Sequence, residues 1–386
     1  MTDFFSLESY DYDLPEDLIA QQAHDPADEC KFMIINKFTW VVEHKIFKDL
    51  QNLLDSQSVL FFNNSKVLKA RIPLSHKDIR VFNPWWEEIT VDWELFYLSP
   101  LQEDYYFLVR PGSKLKTGTT IKIDKFQLNI GENFEHGRRI FVDGDIFELL
   151  EKYGQMPLPP YVSYAQDKVA SYQPIFAKTP WSVASPTASL HFTKTLLNWL
   201  KSKEICTDFV TLHVGIGTFK SMTSSDIKEH VIHHETCEVD SDIFKRIMNY
   251  KLNNKPIIAV GTTSCRTLES LPYLWLKIND QIISVCDTQT IQYWNELSSG
   301  LDSSKTYISN YRIEGGKIHF DCSLYILPGF TFSVIDQLIT NFHLPKSSLM
   351  VLVASFMGYD LMMQCYETAI KNHYAFYSFG DAMWIY

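Results

Sequence analysis

The chain has no C-x-x-C pair, and its seven cysteines (Cys30, Cys206, Cys237, Cys265, Cys286, Cys322 and Cys365) are scattered and odd in number. That pattern indicates neither a disulfide framework nor a zinc knuckle, so a reducing cytoplasm is the expected compartment. Long hydrophobic runs are missing too. A membrane span needs roughly 18 apolar residues; the best stretch, Leu349 to Phe356, has the length of a core helix. Met1 to Asp13 is acidic and carries neither the basic flank nor the apolar stretch of a signal peptide. Basic residues are in deficit, 35 against 46 acidic, for a net charge of −11. Indiscriminate nucleic-acid binding, which depends on many phosphate contacts, is therefore disfavoured. A nucleic-acid substrate is still allowed if cations gather on one face.

What is present suits a globular protein. Hydrophobic residues make up 46% and aromatics 14% of 386 residues, enough for a sizeable core and two domains. The texture is mixed as far as Asn64: a short helix opens at Pro15-Glu16-Asp17, and Lys31 to Asn36 reads as a buried strand. From Lys66 to about Gly144 short alternating runs (Trp93–Leu98, Tyr106–Val109, Thr120–Ile123, Phe126–Ile130) are separated by Pro111-Gly112, Thr117-Gly118 and Asp143-Gly144. That spacing suggests a small barrel or sandwich. After Ile146 helices and strands alternate, with buried strands expected at Phe209–Val214 and Pro256–Val260. Thr193 is placed to cap a helix with a Leu196, Leu197, Leu200 stripe, and Leu361, Met362, Cys365, Tyr366, Ala369 and Ile370 repeat at helical spacing. The fold class expected is α/β: a mixed-sheet catalytic domain from residues 1–65 and 146–386, with a barrel-like all-β domain, 66–145, inserted.

Several segments have the composition of a site. Val260-Gly261-Thr262-Thr263-Ser264 lies between a strand and a helix through Arg266, Leu268 and Leu271, so free backbone N–H groups at a helix start suit a carboxylate or phosphate. An ordinary N-cap is the plain alternative, and the pattern fits neither the P-loop nor the dinucleotide fingerprint. Leu212-His213-Val214-Gly215-Ile216-Gly217-Thr218-Phe219 ends a strand in a loop with two glycines, which permit close approach of a ligand. A lone histidine beside apolar neighbours, as His213 is there, is more often a satisfied structural group than a catalyst. Pro186-Thr187-Ala188-Ser189-Leu190-His191-Phe192-Thr193 and Thr340-Asn341-Phe342-His343-Leu344-Pro345-Lys346-Ser347-Ser348 each set a polar cluster before a helix, with Ser347 as a possible N-cap. Four such loops point to one shared pocket. Glu229-His230-Val231-Ile232-His233-His234-Glu235 invites a metal reading, with the three histidines sharing a face if helical, but it is not H-E-x-x-H and would need second-shell carboxylates and a ligand from elsewhere; a surface or substrate-facing polar segment is the plain reading. Cations cluster in or beside the inserted domain: Lys66, Lys69, Arg71, Lys77 and Arg80; Arg110, Lys114 and Lys116; Arg138 and Arg139 next to His136. A solvated face is the ordinary meaning of such runs; a phosphate-tracking surface is the functional one.

Taken in order, these loops resemble one family. Asp11–Ala20, Phe62–Ile72, Leu108–Gly112, Gly154–Tyr161, Ala184–Thr193, Thr211–Phe219, Val260–Ser270, Ile339–Gly358 and Ser378–Met383 all resemble segments of the S-adenosylmethionine:tRNA ribosyltransferase-isomerases of queuosine biosynthesis. The resemblance spans nearly the whole chain. It implies a tRNA-modifying transferase that moves the ribosyl part of S-adenosylmethionine onto 7-aminomethyl-7-deazaguanine at the wobble position. The ribose isomerises to an epoxycyclopentanediol, giving epoxyqueuosine, and adenine and methionine leave. S-adenosylmethionine is then a consumed co-substrate, and no cofactor or metal is expected. It also implies an α/β domain with an inserted β-barrel.

Proton removal next to the sulfonium calls for a base of near-neutral pKa, so His191, His213 and His343 are the acid/base candidates. Substrate contacts are expected at Pro186, Thr187, Phe192, Gly215, Gly217, Thr218, Phe219, Thr262, Thr263, Asn341 and Lys346, with Arg266 available to the methionine carboxylate. Lys66, Arg71 and Arg110 are the expected tRNA contacts. The expected partners are the precursor tRNA and S-adenosylmethionine, with no membrane and a monomeric chain. The chain departs from the family at Ser185 and Ser189, which stand where alanine and glycine are usual, and at Cys30-Lys31, Lys66, Lys69, Ile216 and Lys220. Exchange of arginine for lysine keeps charge but loses the bidentate fork. A non-catalytic tRNA- or nucleoside-binding paralogue, and a metal hydrolase built on His230 to Glu235, are the competing readings.

Overall fold

The computed structural model describes residues 3–101, 104–110, 115–134, 137–215, 222–282 and 286–386. The chain forms two compact units. One takes Met1–Ser65, Pro159–Thr179 and Ser185–Tyr386; the other takes Lys66–Leu158 and Pro180–Ala184. The second unit thus runs past the 145/146 boundary suggested by texture, because helix Ile146–Tyr153 buries Ile146, Leu149 and Leu150 and Trp181 packs edge-on against Phe147 at 4.4 Å.

The first unit is α/β. Its ten-stranded mixed sheet runs in the order Ile308–Glu314, Lys317–Cys322, Glu235–Asp240, Cys206–Leu212, Val59–Asn63, Ile257–Val260, Gln337–Asn341, Ala382–Ile385, Lys31–Ile35, Val42–Ile46. The four strands Cys206–Leu212, Val59–Asn63, Ile257–Val260 and Gln337–Asn341 are mutually parallel at its centre. Val59 to Asn63 and Ile257 to Val260 are near-continuous apolar runs buried at every position, as strands covered on both faces require; Cys206–Leu212 is fully buried only from Val210 on, and Phe209, expected in a buried strand, is 36% exposed. One face packs a core of Phe32, Phe47, Phe62, Phe192, Leu196 and Leu200. The helices over the sheet start where hydroxyl or carboxylate side chains satisfy their free N–H groups. Thr193 accepts from Leu196 N and Ser347 from Met350 N.

No single helix among the described residues is long and apolar enough to cross a membrane. The bent pair Ser348–Met357 and Tyr359–Lys371 has the length and composition only when taken together, at a 116° bend, and its apolar residues are core.

The second unit is an eight-stranded, wholly antiparallel sheet in the order Arg71–Pro73, Glu94–Pro100, Tyr105–Arg110, Gly137–Asp143, Phe126–Phe134, Thr120–Ile123, Ile79–Phe82, Glu88–Ile89. Burial alternates along Gly137–Asp143 and along the first part of Phe126–Phe134. Ile121, Ile123, Leu128, Ile130 and Ile140 point inward, while Lys122, Arg139 and Phe141 point out. With one eight-residue helix, Ile146–Tyr153, of its own among the described residues, such a sheet buries its apolar face by curling on itself, which gives the barrel-like form.

Candidate active site

The parallel strands of the first unit end at one edge of the sheet. Asn63, Leu212, Val260 and Asn341 are their last residues. In an open α/β sheet the crevice outside the carboxyl ends of the strands is where ligands bind. A cleft there encloses about 670 Å³ of empty space when the solvent at its mouth is included. It is lined by Ser185–Ala188, Val214, Gly261–Thr263, Thr340–Leu344, Ser347, Leu349, Tyr161, Tyr377 and Ser378. Loops that are more than 150 residues apart in the chain therefore share one cavity.

The sharp entry to helix Thr262–Ile282 depends on Gly261. Its φ is +91°, a region that L side chains rarely adopt. Its N–H donates to Ile339 O at 2.8 Å, tying the turn to the neighbouring strand. The start of this 21-residue helix borders the cleft at Thr262 and Thr263, bringing the positive end of the helix dipole to a site whose lining, among the described residues, holds no Asp, Glu, Lys or Arg. Beneath them Asn63, fully buried, knits three strand ends together. Its Nδ2 donates to Leu212 O (2.9 Å) and Thr263 Oγ1 (3.1 Å), while its Oδ1 accepts from Leu212 N and Ser65 N, both at 3.1 Å.

The three histidines occupy different places. His343 lines the cleft, with Nε2 3.0 Å from Thr340 Oγ1; burial pushes its pKa down to about 3. His213 sits at a strand end beside the cleft, its Nδ1 3.4 Å from Ser65 Oγ, and burial lowers it to about 4. His191 is outside the lining and almost wholly buried. Its Nδ1 lies 3.2 Å from Cys30 Sγ and its Nε2 3.1 Å from Asn341 Oδ1; burial lowers it to about 4. Asn341 Nδ2 donates to Tyr377 O at 2.9 Å, so Oδ1 is the atom turned to His191. His191 must then carry its proton on Nε2 and accept from the Cys30 thiol at Nδ1. This chain of bonds fixes the Asn341 amide and the Tyr377 backbone, both of which line the cleft.

Pro186, Thr187, Thr262, Thr263 and Asn341 also line the cleft. Phe192 instead packs in the core against Phe62 at 4.8 Å. Gly215 donates to Glu235 Oε1 at 3.0 Å; Gly217, Thr218 and Phe219 lie outside the described residues, as do Pro111, Gly112, Lys114, His136, Ile216 and Lys220. Arg266 does not reach the lining. It is buried one turn into its helix and its Nη1 meets Glu235 Oε2 at 2.5 Å. Lys346, in a left-handed conformation (φ +54°), directs Nζ to Glu8 at 3.0 Å and Asp11 at 2.9 Å. In the β unit Lys66 is exposed, Arg71 pairs with Glu94, and Arg110 approaches the same carboxylate at 3.7 Å. His230, His233 and His234 form no helix: they follow a single turn, Ile227–Glu229, and precede strand Glu235–Asp240. No group of three metal-ligating side chains occurs among the described residues.

Sequence reasoning passed over Tyr161, Tyr377 and Ser378. The two rings pack at 4.9 Å, and Tyr161 OH lies 2.6 Å from Ser378 Oγ. A tyrosine next to Pro-Pro and another within Phe-Tyr-Ser-Phe look like core aromatics until folding brings them to the cleft. Glu235 and Asn63 were also passed over as organisers, since nothing local to either predicts the partner it finds across the sheet.

A cleft at the carboxyl edge of parallel strands, with a helix N-terminus, an imidazole and a pair of aromatic rings, defines a small-molecule site in an α/β protein. The family described as "Queuosine biosynthesis protein" matches residues 7–385. Among similar proteins, the S-adenosylmethionine:tRNA ribosyltransferase-isomerase of Desulfitobacterium hafniense is 37% identical over 98% of this chain and 99% of its own. That of Halothermothrix orenii is 35% identical over 98% and 99%. The crystal structure of S-adenosylmethionine tRNA ribosyltransferase from Thermotoga maritima, at 2.00 Å resolution, aligns over 98% of this chain and 100% of its own, with 29% identity and a TM-score of 0.50. The chain belongs to the S-adenosylmethionine:tRNA ribosyltransferase-isomerase family.

Proposed function

We propose that this protein transfers and isomerises the ribosyl moiety of S-adenosylmethionine onto 7-aminomethyl-7-deazaguanine at the wobble position of tRNA. Epoxyqueuosine is formed in the tRNA, and adenine and methionine are released. The observation that carries the reading is the single cleft at the parallel-strand ends, in a chain that matches these enzymes from end to end. The start of helix Thr262–Ile282 offers N–H donors to the methionine carboxylate or to developing charge on ribose oxygens. The Tyr161 and Tyr377 rings offer π faces to a purine or a sulfonium cation. His343 is the acid/base candidate that lines the cleft; burial keeps it neutral and able to accept a proton, but as a weaker base than the near-neutral imidazole expected from the sequence. His191 acts one step back, as a positioning residue that orients Asn341. A tRNA substrate carries with it a cytoplasmic location.

The test is release of adenine and methionine from S-adenosylmethionine, measured with and without tRNA bearing the 7-deazaguanine precursor. One adenine and one methionine should appear per tRNA modified, and only with the precursor present. His343→Ala should lower kcat by roughly 10²–10⁴-fold. A soluble, folded preparation that binds the tRNA but releases nothing would establish the non-catalytic paralogue instead.

A further inference from the structure

The geometry points to a second recognition surface, on the β unit: the outward sheet face ending in the Trp85-Trp86 turn receives unpaired nucleotides of the tRNA, stacked on its aromatic rings. This rests on the tRNA reading above and adds to it where the RNA is held. The turn joins strands Ile79–Phe82 and Glu88–Ile89. It is firmly built. Asn83 Oδ1 accepts from Trp85 N and Glu87 N, both at 3.0 Å, Asn83 Nδ2 donates to Glu87 Oε2 at 2.7 Å, and Trp86 N donates to Asn83 O at 2.9 Å. Trp86 is held at φ +62°, a conformation usually left to glycine or asparagine. The outcome of this local order is exposure: Trp85 and Trp86 stand 68% and 64% accessible.

Cations accompany the rings. Lys116 Nζ lies 5.2 Å from the centre of the Trp85 ring, and Lys122 Nζ is 5.5 Å from the centres of both Trp86 and Phe82. The strand register carries the face further. Lys122 pairs with Arg80 on one side and Gln127 on the other, and Thr120 pairs with Phe82 and Asn129; Asn129 pairs in turn with Phe141, itself 51% exposed. Paired residues share a face of the sheet, so aromatic rings, amides and cations alternate across one outward surface.

Acids are not absent: Glu88 faces Phe82, and Asp143 faces Gln127. Yet Arg80, Lys116 and Lys122 make no ion pair among the described residues, while Lys69, Arg71, Lys125, Arg139 and Lys152 of the same unit all do. Three uncommitted cations beside exposed rings, in a chain of net charge −11, are complementary to a polyanion with unstacked bases. Rings supply sequence-tolerant stacking and the cations track the backbone, the combination that binds single-stranded nucleic acid.

The test uses the full chain and precursor tRNA. Trp85→Ala/Trp86→Ala should weaken tRNA binding, read by a direct binding titration, roughly five- to a hundredfold. It should raise KM for tRNA in proportion and leave kcat and KM for S-adenosylmethionine within twofold. Trp85→Phe/Trp86→Phe should recover most of the affinity, because a smaller ring still stacks. Lys122→Gln should make the salt dependence of binding shallower by about one counterion. If the alanine pair binds tRNA as wild type does while turnover persists, the surface is overturned and the proposed reaction stands. If the phenylalanine pair loses as much as the alanine pair, stacking is overturned. If wild type shows no precursor-dependent turnover, the reaction fails on its own, and the binding titration still decides the surface.

Discussion

In the α/β unit Asn63, His191, Glu235 and Asn341 are buried around the cleft and bonded to side chains or backbone of other elements, whereas the outer face of the β unit leaves Arg80, Lys116 and Lys122 without an acid partner among the described residues. Glu235 illustrates the first style. It accepts from Gly215 N with one oxygen and from Arg266 with the other, so a single carboxylate anchors the loop after one strand to the helix after another. Glu94 is the solvent-side counterpart in the β unit, lying between Arg71 and Arg110, whose side chains are 40% and 59% exposed. The difference teaches where chemistry and where recognition are affordable. A group that must hold geometry to within a fraction of an ångström needs burial and full hydrogen bonding; a surface that tracks a polyanion needs its cations free and solvated.

The largest effect expected from that contrast comes from removing the two carboxylates in turn. Glu235→Ala leaves the Arg266 guanidinium buried without its counter-charge, and Arg266 Nε and Nη2 already lack partners among the described residues. Breaking a buried pair on one side costs about 3–5 kcal/mol, and the Gly215 loop loses its anchor as well. Urea unfolding should show a loss of that size. Glu94→Ala, in the same assay, should cost about 1 kcal/mol or less, since its partners can reach water. Equal losses at the two positions would erase the distinction.

Next in size is the response to acid. His191, His213 and His343 have pKa values lowered by burial to about 4, 4 and 3 from 6.5. Each is neutral in the folded chain at a pH where the unfolded chain would protonate it. The unfolded state therefore binds more protons as pH falls below about 6.5, and stability drops toward pH 4; above 6.5 this contribution is fully present. Each histidine adds a slope of up to about 1.4 kcal/mol per pH unit across that window. His191→Gln removes one titrating group, and denaturant midpoints taken from pH 7.5 to pH 4.5 should show a shallower acid limb. An unchanged limb would mean that His191 is not held neutral.

How much of this was legible in the sequence follows from the range of the interactions. The strand-to-helix turns at Gly261 and before Ser347 could be read because a buried run, a glycine or hydroxyl, and an apolar helix are neighbours in the chain. The alternating strands of the β unit declared themselves by period. The convergence of four loops was inferred from their number; parallel strand order brings together those after Leu212, Val260 and Asn341, while the Pro186 loop comes from outside the large sheet. Pairings at long range were invisible. Nothing near Lys346 signals Glu8 and Asp11, and nothing near Arg266 signals Glu235; both cations looked free for substrate because their partners lie outside any local window. His191 looked equivalent to His343, since only the fold puts Cys30 at one nitrogen and Asn341 at the other. The Trp85-Trp86 turn escaped for another reason: its two strands are short, and no Asn-Gly or Asp-Gly pair marks it.

The smallest effect concerns the two serines that stand where alanine and glycine are usual. Ser185 Oγ and Ser189 Oγ are buried with no hydrogen-bond partner among the described residues, and Ser185 lines the cleft. A buried hydroxyl without a partner loses its hydration and gains nothing in return. If these hydroxyls do nothing else, Ser185→Ala should leave stability equal or raise it by about 1 kcal/mol, and KM for S-adenosylmethionine should not move. A hydroxyl at the wall of a binding cleft has a second use, as donor or acceptor to whatever fills it. In that case Ser185→Ala raises KM for S-adenosylmethionine severalfold while thermal stability of the unliganded protein stays flat or improves. The two readouts move in opposite directions only when the serine serves the ligand, so measuring both on one variant decides whether this hydroxyl is idle or keeps a bond in reserve for substrate.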